Sequence, residues 1–343
     1  MELRVQGLHH ITAITSDASS AVRFYTRVLG LRLVKKTVNF DAPSAYHLYF
    51  GDEKGRPGTL ITFFDWKNAV GVGQVGAHVT HHFAFTTKDD EGLERWRQWL
   101  TQNDVQTVGP LDRGSFTSIY FQDPDGLILE IATIGTGRGY SDLSHSELSV
   151  LSDDQAKPPR EAPSRIRGIT DEMELQGLHH VTALTNGSSH TREFFAKTLN
   201  FESIRDNPKG SSGTVQQIFG LEGGQPGSMI SFIESPSSPS GTVGVGTVHH
   251  IAFAVDDEES QLKWREYLLA SGVNVTPVLD RKYFKSIYFR EPNGVLLELA
   301  TVPPGFGVDE PWNSLGSSLT LPEWLEPRRR TIEASLEPIS LAA

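Results

Sequence analysis

The 343-residue sequence contains no cysteine. This absence excludes disulfides, thiolate nucleophiles, iron–sulfur clusters and zinc sites built on cysteine. Any metal ion must therefore be bound by histidine, aspartate, glutamate or backbone oxygen atoms, which suits iron or manganese as well as zinc.

Long apolar runs are also missing, because none approaches the roughly 18–20 residues that span a bilayer. No charged segment followed by an apolar stretch opens the chain, so we expect no secretory signal and a cytoplasmic protein. The formal net charge of −11 argues against nucleic acid or an anionic membrane as the main partner. The sequence leaves the formation of a homo-oligomer open.

What the sequence does contain is an internal repeat. "GLHHITAIT" at 7–15 returns as "GLHHVTALT" at 177–185, and "DRGSFTSIYFQDPDGLILEIAT" at 112–133 returns as "DRKYFKSIYFREPNGVLLELAT" at 280–301. We predict two homologous halves, 1–138 and 173–302. A linker over 139–172, rich in Gly, Ser, Asp, Pro and Arg, joins them, and a tail over 303–343 packs on the body.

A finer repeat lies inside each half. Paired histidines begin four alternating, strand-like runs, as in "LHHITAIT" and "HHFAFTT". Helix-like stretches follow the first two at 17–30 and 89–104, with Asp17 as a predicted N-cap. Further strand-like runs come next, so the predicted unit is βαβββ and it occurs four times.

Four βαβββ units with histidines at strand starts and glutamates at strand ends resemble the vicinal oxygen chelate superfamily. Its members include glyoxalase I, fosfomycin-resistance proteins and extradiol dioxygenases. The resemblance covers about 1–302. It implies an α+β fold in which the four units pair into two cup-shaped, eight-stranded mixed sheets, with a divalent metal in the cup.

A narrower resemblance is to the hydroquinone-type ring-cleaving dioxygenases, such as 2,6-dichlorohydroquinone 1,2-dioxygenase. It rests on "HHIT", on "HHIAF", on the spacing of Arg281, Tyr288 and Glu298, and on "LPEWLEPRR" in the tail. The older catechol-cleaving signature has a histidine shortly before the string present here as "YFREPNGVLLE". Positions 279–285 read "LDRKYFK" instead, which favours the hydroquinone branch.

The resemblance implies that the second histidine of each pair is a metal ligand, and the four are His10, His82, His180 and His250. Consecutive pairing of units would combine His180, His250 and Glu298. Pairing of the first unit with the fourth would combine His10, His250 and Glu298, and we favour it because the hydroquinone group pairs in this way. Two histidines and one carboxylate form the facial triad of non-haem iron oxygenases.

The favoured pairing leaves His82, Glu130 and His180 as a complete second triad. Its companions in the repeat are also present: His81, Arg113, Tyr120, His179 and Thr182. The sequence leaves two interpretations of this second triad open: it is a second metal site, or it is a remnant of the duplication that loops close to substrate.

The resemblance also assigns roles near the substrate. It makes His9 and His249 neighbours of the ligands and candidate bases, and it places Thr12 on the ligand face of its strand. Arg281 would neutralise developing negative charge, and Tyr288 would donate a hydrogen bond or a proton. We interpret His47, in "AYHLYF", as structural.

The function that the resemblance implies is Fe(II)-dependent ring cleavage, with Mn(II) as the alternative metal. The substrates would be dioxygen and a hydroquinone-like aromatic diol, with or without chlorine. Alternatives are a catechol extradiol dioxygenase, a glyoxalase-type isomerase or lyase, and a non-enzymatic binding module. The first and third units end in "TLITFF" and "SMISFI" without glutamate, so we predict three protein ligands rather than four, which favours an oxygenase.

Overall fold

The computed structural model describes residues 3–67, 69–134, 169–187, 189–207 and 215–340. The strands of the first half are β1 (Leu8–Thr15), β2 (Arg32–Val38), β3 (Tyr46–Gly51), β4 (Leu60–Asp65), β5 (Thr80–Thr87), β6 (Val108–Asp112), β7 (Thr117–Gln122) and β8 (Ile128–Thr133). Those of the second half are β9 (Leu178–Thr185), β10 (Glu202–Asn207), β11 (Val215–Gly220), β12 (Met229–Glu234), β13 (Val248–Val255), β14 (Leu279–Asp280), β15 (Lys285–Arg290) and β16 (Leu296–Thr301). The α-helices are α1 (Ala18–Arg23), α2 (Asp90–Gln102), α3 (Ser189–Glu193), α4 (Glu258–Ala270) and α5 (Arg329–Ser335).

The strands form two eight-stranded mixed sheets, which confirms the predicted α+β fold. Sheet 1 has the order β14-β15-β16-β13-β1-β4-β3-β2, and sheet 2 has the order β10-β11-β12-β9-β5-β8-β7-β6. Sheet 1 therefore joins the first and fourth units, and sheet 2 joins the second and third. Each sheet takes one unit from each half of the sequence, and the boundaries of the two halves remain a prediction.

The two faces of the central strands carry different side chains. On β1, Ile11 and Ala13 are fully buried in the main hydrophobic core, while His10 and Thr12 lie on the opposite, concave face. The concave face is also buried, so burial alone does not distinguish the two faces. They differ in the polarity of their side chains.

The helices follow the predicted pattern only in part. Asp17 caps α1 by accepting a hydrogen bond from Ser19 N, as predicted, and Asp89 caps α2 by accepting a hydrogen bond from Gly92 N. After α1 the chain continues as a π-helical turn over Phe24–Val28, and the third unit repeats this turn over Phe194–Thr198. The wider turn lets two successive aromatic residues, Phe24 and Tyr25, both reach the core.

The two "VGVG" segments join the sheets. Val72 pairs with Val245 in an isolated β-bridge, and Gln74 pairs with Thr242. The backbones approach so closely that a Cβ atom on Gly244 would lie 2.4 Å from Gly71 O. Glycine at this position is therefore a requirement of the contact between the segments.

The tail lies against sheet 1. Thr320 N donates a hydrogen bond to Lys36 O, and the buried Lys35 ammonium lies 2.6 Å from Asp309 and also contacts Glu310. Of the predicted linker, residues 139–168 lie outside the described residues. None of the helices in the described parts of the chain combines the length and the apolar character needed to cross a membrane.

Candidate metal centre

Each histidine pair sits at an irregularity in strand pairing. In the register of β1 with β13, Leu8 faces Phe253 and His10 faces Ala252, so His9 has no partner; His249 is skipped in the same way. The register of β5 with β9 skips His81 and His179. These bulges allow two neighbouring histidines to turn toward each other instead of pointing to opposite faces.

Three neighbouring strands of sheet 1, β1, β13 and β16, bring three donor atoms together. His10 Nε2 lies 3.3 Å from His250 Nε2 and 3.4 Å from Glu298 Oε2, and His250 Nε2 lies 2.9 Å from Glu298 Oε2. All three residues are at most 3% exposed. We call this group the first site. It is the set that pairing of the first and fourth units predicts.

Sheet 2 repeats the arrangement with His82, Glu130 and His180, which we call the second site. Glu130 Oε2 lies 3.1 Å from His82 Nε2 and 3.2 Å from His180 Nε2. Among the described residues, these two sites are the His/Glu groups that could hold a metal ion.

The donor spacing fits a metal ion. Ligand bonds of about 2.1 Å at right angles place neighbouring donor atoms about 3 Å apart. In both sites the nitrogen and carboxylate atoms are separated by 2.9–3.4 Å. Two imidazoles and one carboxylate match the facial triad of Fe(II) and also suit Mn(II).

The first histidine of each pair orients the second. His9 Nδ1 lies 2.9 Å from His10 Nδ1, and His249 Nδ1 lies 2.8 Å from His250 Nδ1. A lone pair at Nε2 of His10 places its proton on Nδ1, which then donates to His9 Nδ1. His9 in turn has a hydrogen bond with the backbone of Thr301 on β16. These two contacts together fix the orientation of the His10 ring.

Burial keeps these supporting histidines neutral. Burial, followed by the neighbouring His10, lowers the pKa of His9 to about 3, and burial with His250 lowers the pKa of His249 to about 3. A neutral imidazole can accept the proton of the ligand histidine, whereas an imidazolium cannot.

A cavity with about 350 Å³ of empty space lies at the first site. His10 and His250 line it together with aromatic side chains, which are Phe40, Tyr49, Phe64 and Phe284. The polar side chains in its wall are Asn39, Asp41, His47, Arg281 and Tyr288. The cavity therefore offers flat apolar walls with polar groups around them.

Arg281 and Tyr288 lie together in this wall. The guanidinium carbon is 5.5 Å from the centre of the Tyr288 ring, and Nη1 donates to Asp41 Oδ2 at 2.8 Å. Burial and then the charge of Glu298 raise the pKa of Tyr288, although Arg281 opposes the shift. Tyr288 therefore stays a protonated phenol at neutral pH and can donate a hydrogen bond.

His47 is a wall residue that our sequence interpretation missed. Its Nε2 lies 3.0 Å from Thr62 Oγ1 and its Nδ1 lies 2.9 Å from Tyr49 OH. Burial, and then His10, lowers its pKa well below the ordinary value. The alternation in "AYHLYF" already places His47 and Tyr49 on one face of β3, which is the signal that could have found them.

Thr12 and His249 lie next to the cavity rather than in its lining. Thr12 is fully buried, and its hydroxyl contacts Thr62 Oγ1 at 2.8 Å. Thr62 Oγ1 in turn has a hydrogen bond with His47 Nε2. His249 is partly exposed and packs edge-on against Trp66, with ring centres 5.4 Å apart.

Thr62 also occupies the position of a missing fourth ligand. Parallel pairing sets Thr62 opposite Thr12 on β1, just as it sets Glu298 opposite Ala252 on β13. Thr62 is thus the counterpart of Glu298 in the repeat, and its hydroxyl is engaged by Thr12 and His47. The first site therefore has one carboxylate.

This fold and these sites place the chain in a known family. It belongs to the Glyoxalase/Bleomycin resistance protein/Dioxygenase superfamily, whose profile matches residues 7–131 and 177–299.

Relatives that span nearly the whole chain narrow the comparison. The chain is 35% identical over 337 residues to "Putative ring-cleaving dioxygenase MhqA" of Bacillus subtilis, covering 98% of this chain and 100% of that protein. It is 33% identical over 328 residues to the chlorohydroquinone/hydroquinone 1,2-dioxygenase of Sphingobium indicum, covering 94% and 93%. A crystal structure of a "putative dioxygenase" from Bacillus subtilis is similar with a TM-score of 0.81 and 33% identity, covering 99% of both chains.

Proposed function

We propose that this chain is a metal-dependent dioxygenase that cleaves the ring of a hydroquinone-like aromatic diol at the first site. The observation that carries the proposal is the three-donor set of His10, His250 and Glu298 beside a cavity with aromatic walls. The similarity to a hydroquinone 1,2-dioxygenase over almost the full length supports the same activity.

The metal we propose is Fe(II), with Mn(II) as the alternative, because both accept two imidazoles and a carboxylate. When bound, such an ion supplies free coordination positions and the redox chemistry that ring cleavage by dioxygen requires. His9 and His249 would hold the ligand rings in place through their Nδ1 contacts.

The walls of the cavity suit a flat ring with polar groups at both ends. Phe40, Phe64 and Phe284 supply apolar surface for the ring. Arg281 offers a fixed positive charge for an oxygen atom that becomes negative, and the Tyr288 phenol offers a hydrogen bond. These groups bind and orient the diol and exclude water from the reacting carbon atoms.

A glyoxalase-type reaction is the main enzymatic alternative. Members of that type usually surround one metal with four protein ligands, two of them glutamates. The counterpart of the second glutamate in the first site is Thr62, whose hydroxyl is bonded to its neighbours. This single-carboxylate set favours the dioxygenase.

The proposal is tested by loading the full chain with Fe(II) or Mn(II) under anaerobic conditions and then measuring oxygen uptake. We expect uptake with hydroquinone, weaker uptake with catechol, and no conversion of the methylglyoxal–glutathione adduct. Glu298→Gln should abolish uptake, while the chain remains folded by circular dichroism. Absence of oxygen consumption with every diol, or conversion of the adduct, would contradict the proposal.

A further inference from the structure

The second site retains the groups that position the ligands of the first site. His81 Nδ1 lies 2.8 Å from His82 Nδ1, and His179 Nδ1 lies 2.9 Å from His180 Nδ1. The ring centres of His82 and His180 are 5.7 Å apart, against 5.4 Å for His10 and His250. The bulges, the supporting histidines and the donor atoms are thus all repeated.

Two ligands of the second site, His82 and Glu130, have buried polar atoms that lack ordinary hydrogen bonds. His82 Nε2 and both carboxylate oxygens of Glu130 have no hydrogen-bond partner of normal geometry, and the two residues are 1% and 0% exposed. Leaving buried polar atoms without a partner is costly, and most of all for a carboxylate. A divalent cation between the three ligands would satisfy these lone pairs together.

Three residues of the wall, in contrast, are not repeated. Strand pairing makes Gln216 the counterpart of His47 and Ile233 the counterpart of Phe64, because each pair is joined across the same two strands of its unit. Ile218 stands for Tyr49 in the same alignment. The second unit pair therefore keeps the metal ligands but lacks the histidine and two of the aromatic side chains that the first unit contributes to the wall of the cavity.

Apolar side chains fill the corresponding space in sheet 2. Tyr120 and Ile233 pack with Ile128 and Leu184 in one buried cluster, although their counterparts Tyr288 and Phe64 line the cavity in sheet 1. Arg113 is 2% exposed, whereas the side chain of its counterpart Arg281 is 19% exposed. An aromatic diol that fits the first site would have to displace these side chains.

The second site also links the two halves of the chain. His82 lies on β5 and Glu130 on β8, both in the second unit, while His180 lies on β9 in the third unit. A metal bound by all three would join the two units across the centre of sheet 2, and it would bind the folded chain much more tightly than the unfolded chain.

We propose that His82, Glu130 and His180 form a second, structural site for a divalent metal ion, which stabilises the junction of the second and third units and does not bind the diol. The proposal is independent of ring cleavage, because it concerns metal content and stability. Glu298→Gln removes a ligand of the first site and thereby isolates the second, and Glu130→Gln is its matched counterpart in the repeat.

The test is the metal content of the full chain after anaerobic loading with Mn(II) and gel filtration, measured by mass spectrometry of the metal. We expect about two ions per chain in the natural protein, about one in Glu298→Gln, about one in Glu130→Gln and none in the double variant. If a variant with Glu130→Gln does not fold by circular dichroism, His82→Gln takes its place.

Thermal unfolding supplies a second measurement. A chelator should lower the melting temperature of Glu298→Gln, where only the second site can bind, and should leave that of the double variant unchanged. Glu298→Gln without bound metal, or Glu130→Gln with as much metal as the natural protein, would overturn the proposal. Oxygen uptake by the natural protein would be unaffected by that result, so the two proposals fail separately.

Discussion

At the residue scale, the internal repeat indicates which residue can replace His47 in the wall of the cavity. His47 bonds to Thr62, and its counterpart Gln216 makes the equivalent bond to Ser231, with Nε2 donating to Oγ at 2.7 Å. Glutamine is therefore compatible with this position in the fold.

We expect His47→Gln to retain metal and melting temperature but to lower kcat/KM with hydroquinone by about tenfold, the effect of one lost hydrogen bond in the transition state. Steady-state oxygen uptake measures this change. The matched control, Gln216→His, should leave kcat/KM as it is. Equal activity of His47→Gln and the natural protein would show that His47 does not contribute to binding or conversion of the substrate.

Asp123 is a second residue with a measurable signature. Its buried carboxylate accepts hydrogen bonds from the backbone N of Asp125 and Leu127, each at 2.9 Å, and contacts Tyr25 OH. Burial and then the charge of Asp125 raise its pKa from 3.8 to about 7. The folded chain therefore holds a proton that the unfolded chain releases above pH 4.

Because of this proton, the contribution of Asp123 to the free energy of unfolding should decline as the pH rises from about 4 to about 7, by up to about 1.4 kcal/mol per pH unit. Glu291, whose pKa is also raised by burial, adds to the decline. The buried His9, His47 and His249, whose pKa values are lowered, contribute a rise over the same range. Asp123→Asn should remove the decline due to Asp123, so the free energy of unfolding should rise more steeply with pH in the variant than in the natural protein, which urea denaturation at several pH values would measure. An unchanged slope in the variant would show that Asp123 is ionised in the folded chain.

At the scale of elements, the crossing of the two "VGVG" segments is sensitive to a single methyl group. Gly244→Ala would bring a Cβ atom to 2.4 Å from Gly71 O, so we expect a loss of about 1–3 kcal/mol in the free energy of unfolding. Gly71→Ala is the control from the other segment, since a Cβ atom there has nothing within 4 Å. Urea denaturation of both variants should separate them clearly.

The strands also show what the sequence could predict and what it could not. The repeated strand-like and helix-like runs predicted the four βαβββ units, and the family resemblance carried by the histidine pairs and glutamates implied the two eight-stranded sheets. The bulges at His9 and His249 were not predictable, because they depend on how β1 meets a strand about 240 residues away. The position of His47 in the wall of the cavity was not predicted for a similar reason, since it depends on the register of β3 against β4.

At the scale of the whole molecule, the tail and sheet 1 depend on one buried cation. Lys35 is fully buried between Asp309 and Glu310, and Glu310 also accepts hydrogen bonds from Gly316 N and Ser318 Oγ. Lys35→Met would leave the buried Glu310 carboxylate without its cation, so we expect a loss of about 3–5 kcal/mol in the free energy of unfolding.

Chemical denaturation followed by intrinsic fluorescence would measure the effect of Lys35→Met. The control is Lys263→Met, which removes an exposed ion pair with Glu259 and should change stability little. If Lys35→Met were as mild as the control, the contact between tail and sheet would not contribute to stability.

The nested pairing of the four units determines the order in which the chain can close its loops. Joining the first unit to the fourth directly would require closing a loop of some 240 residues, whereas the second and third units are neighbours in sequence. Once these inner units are joined, only short connections separate the outer ones, and the entropy cost of bringing β1 to β13 is correspondingly smaller. The cavity with its three ligands should therefore be the last part of the molecule to assemble, and a nascent chain should lack it until the fourth unit has been synthesised.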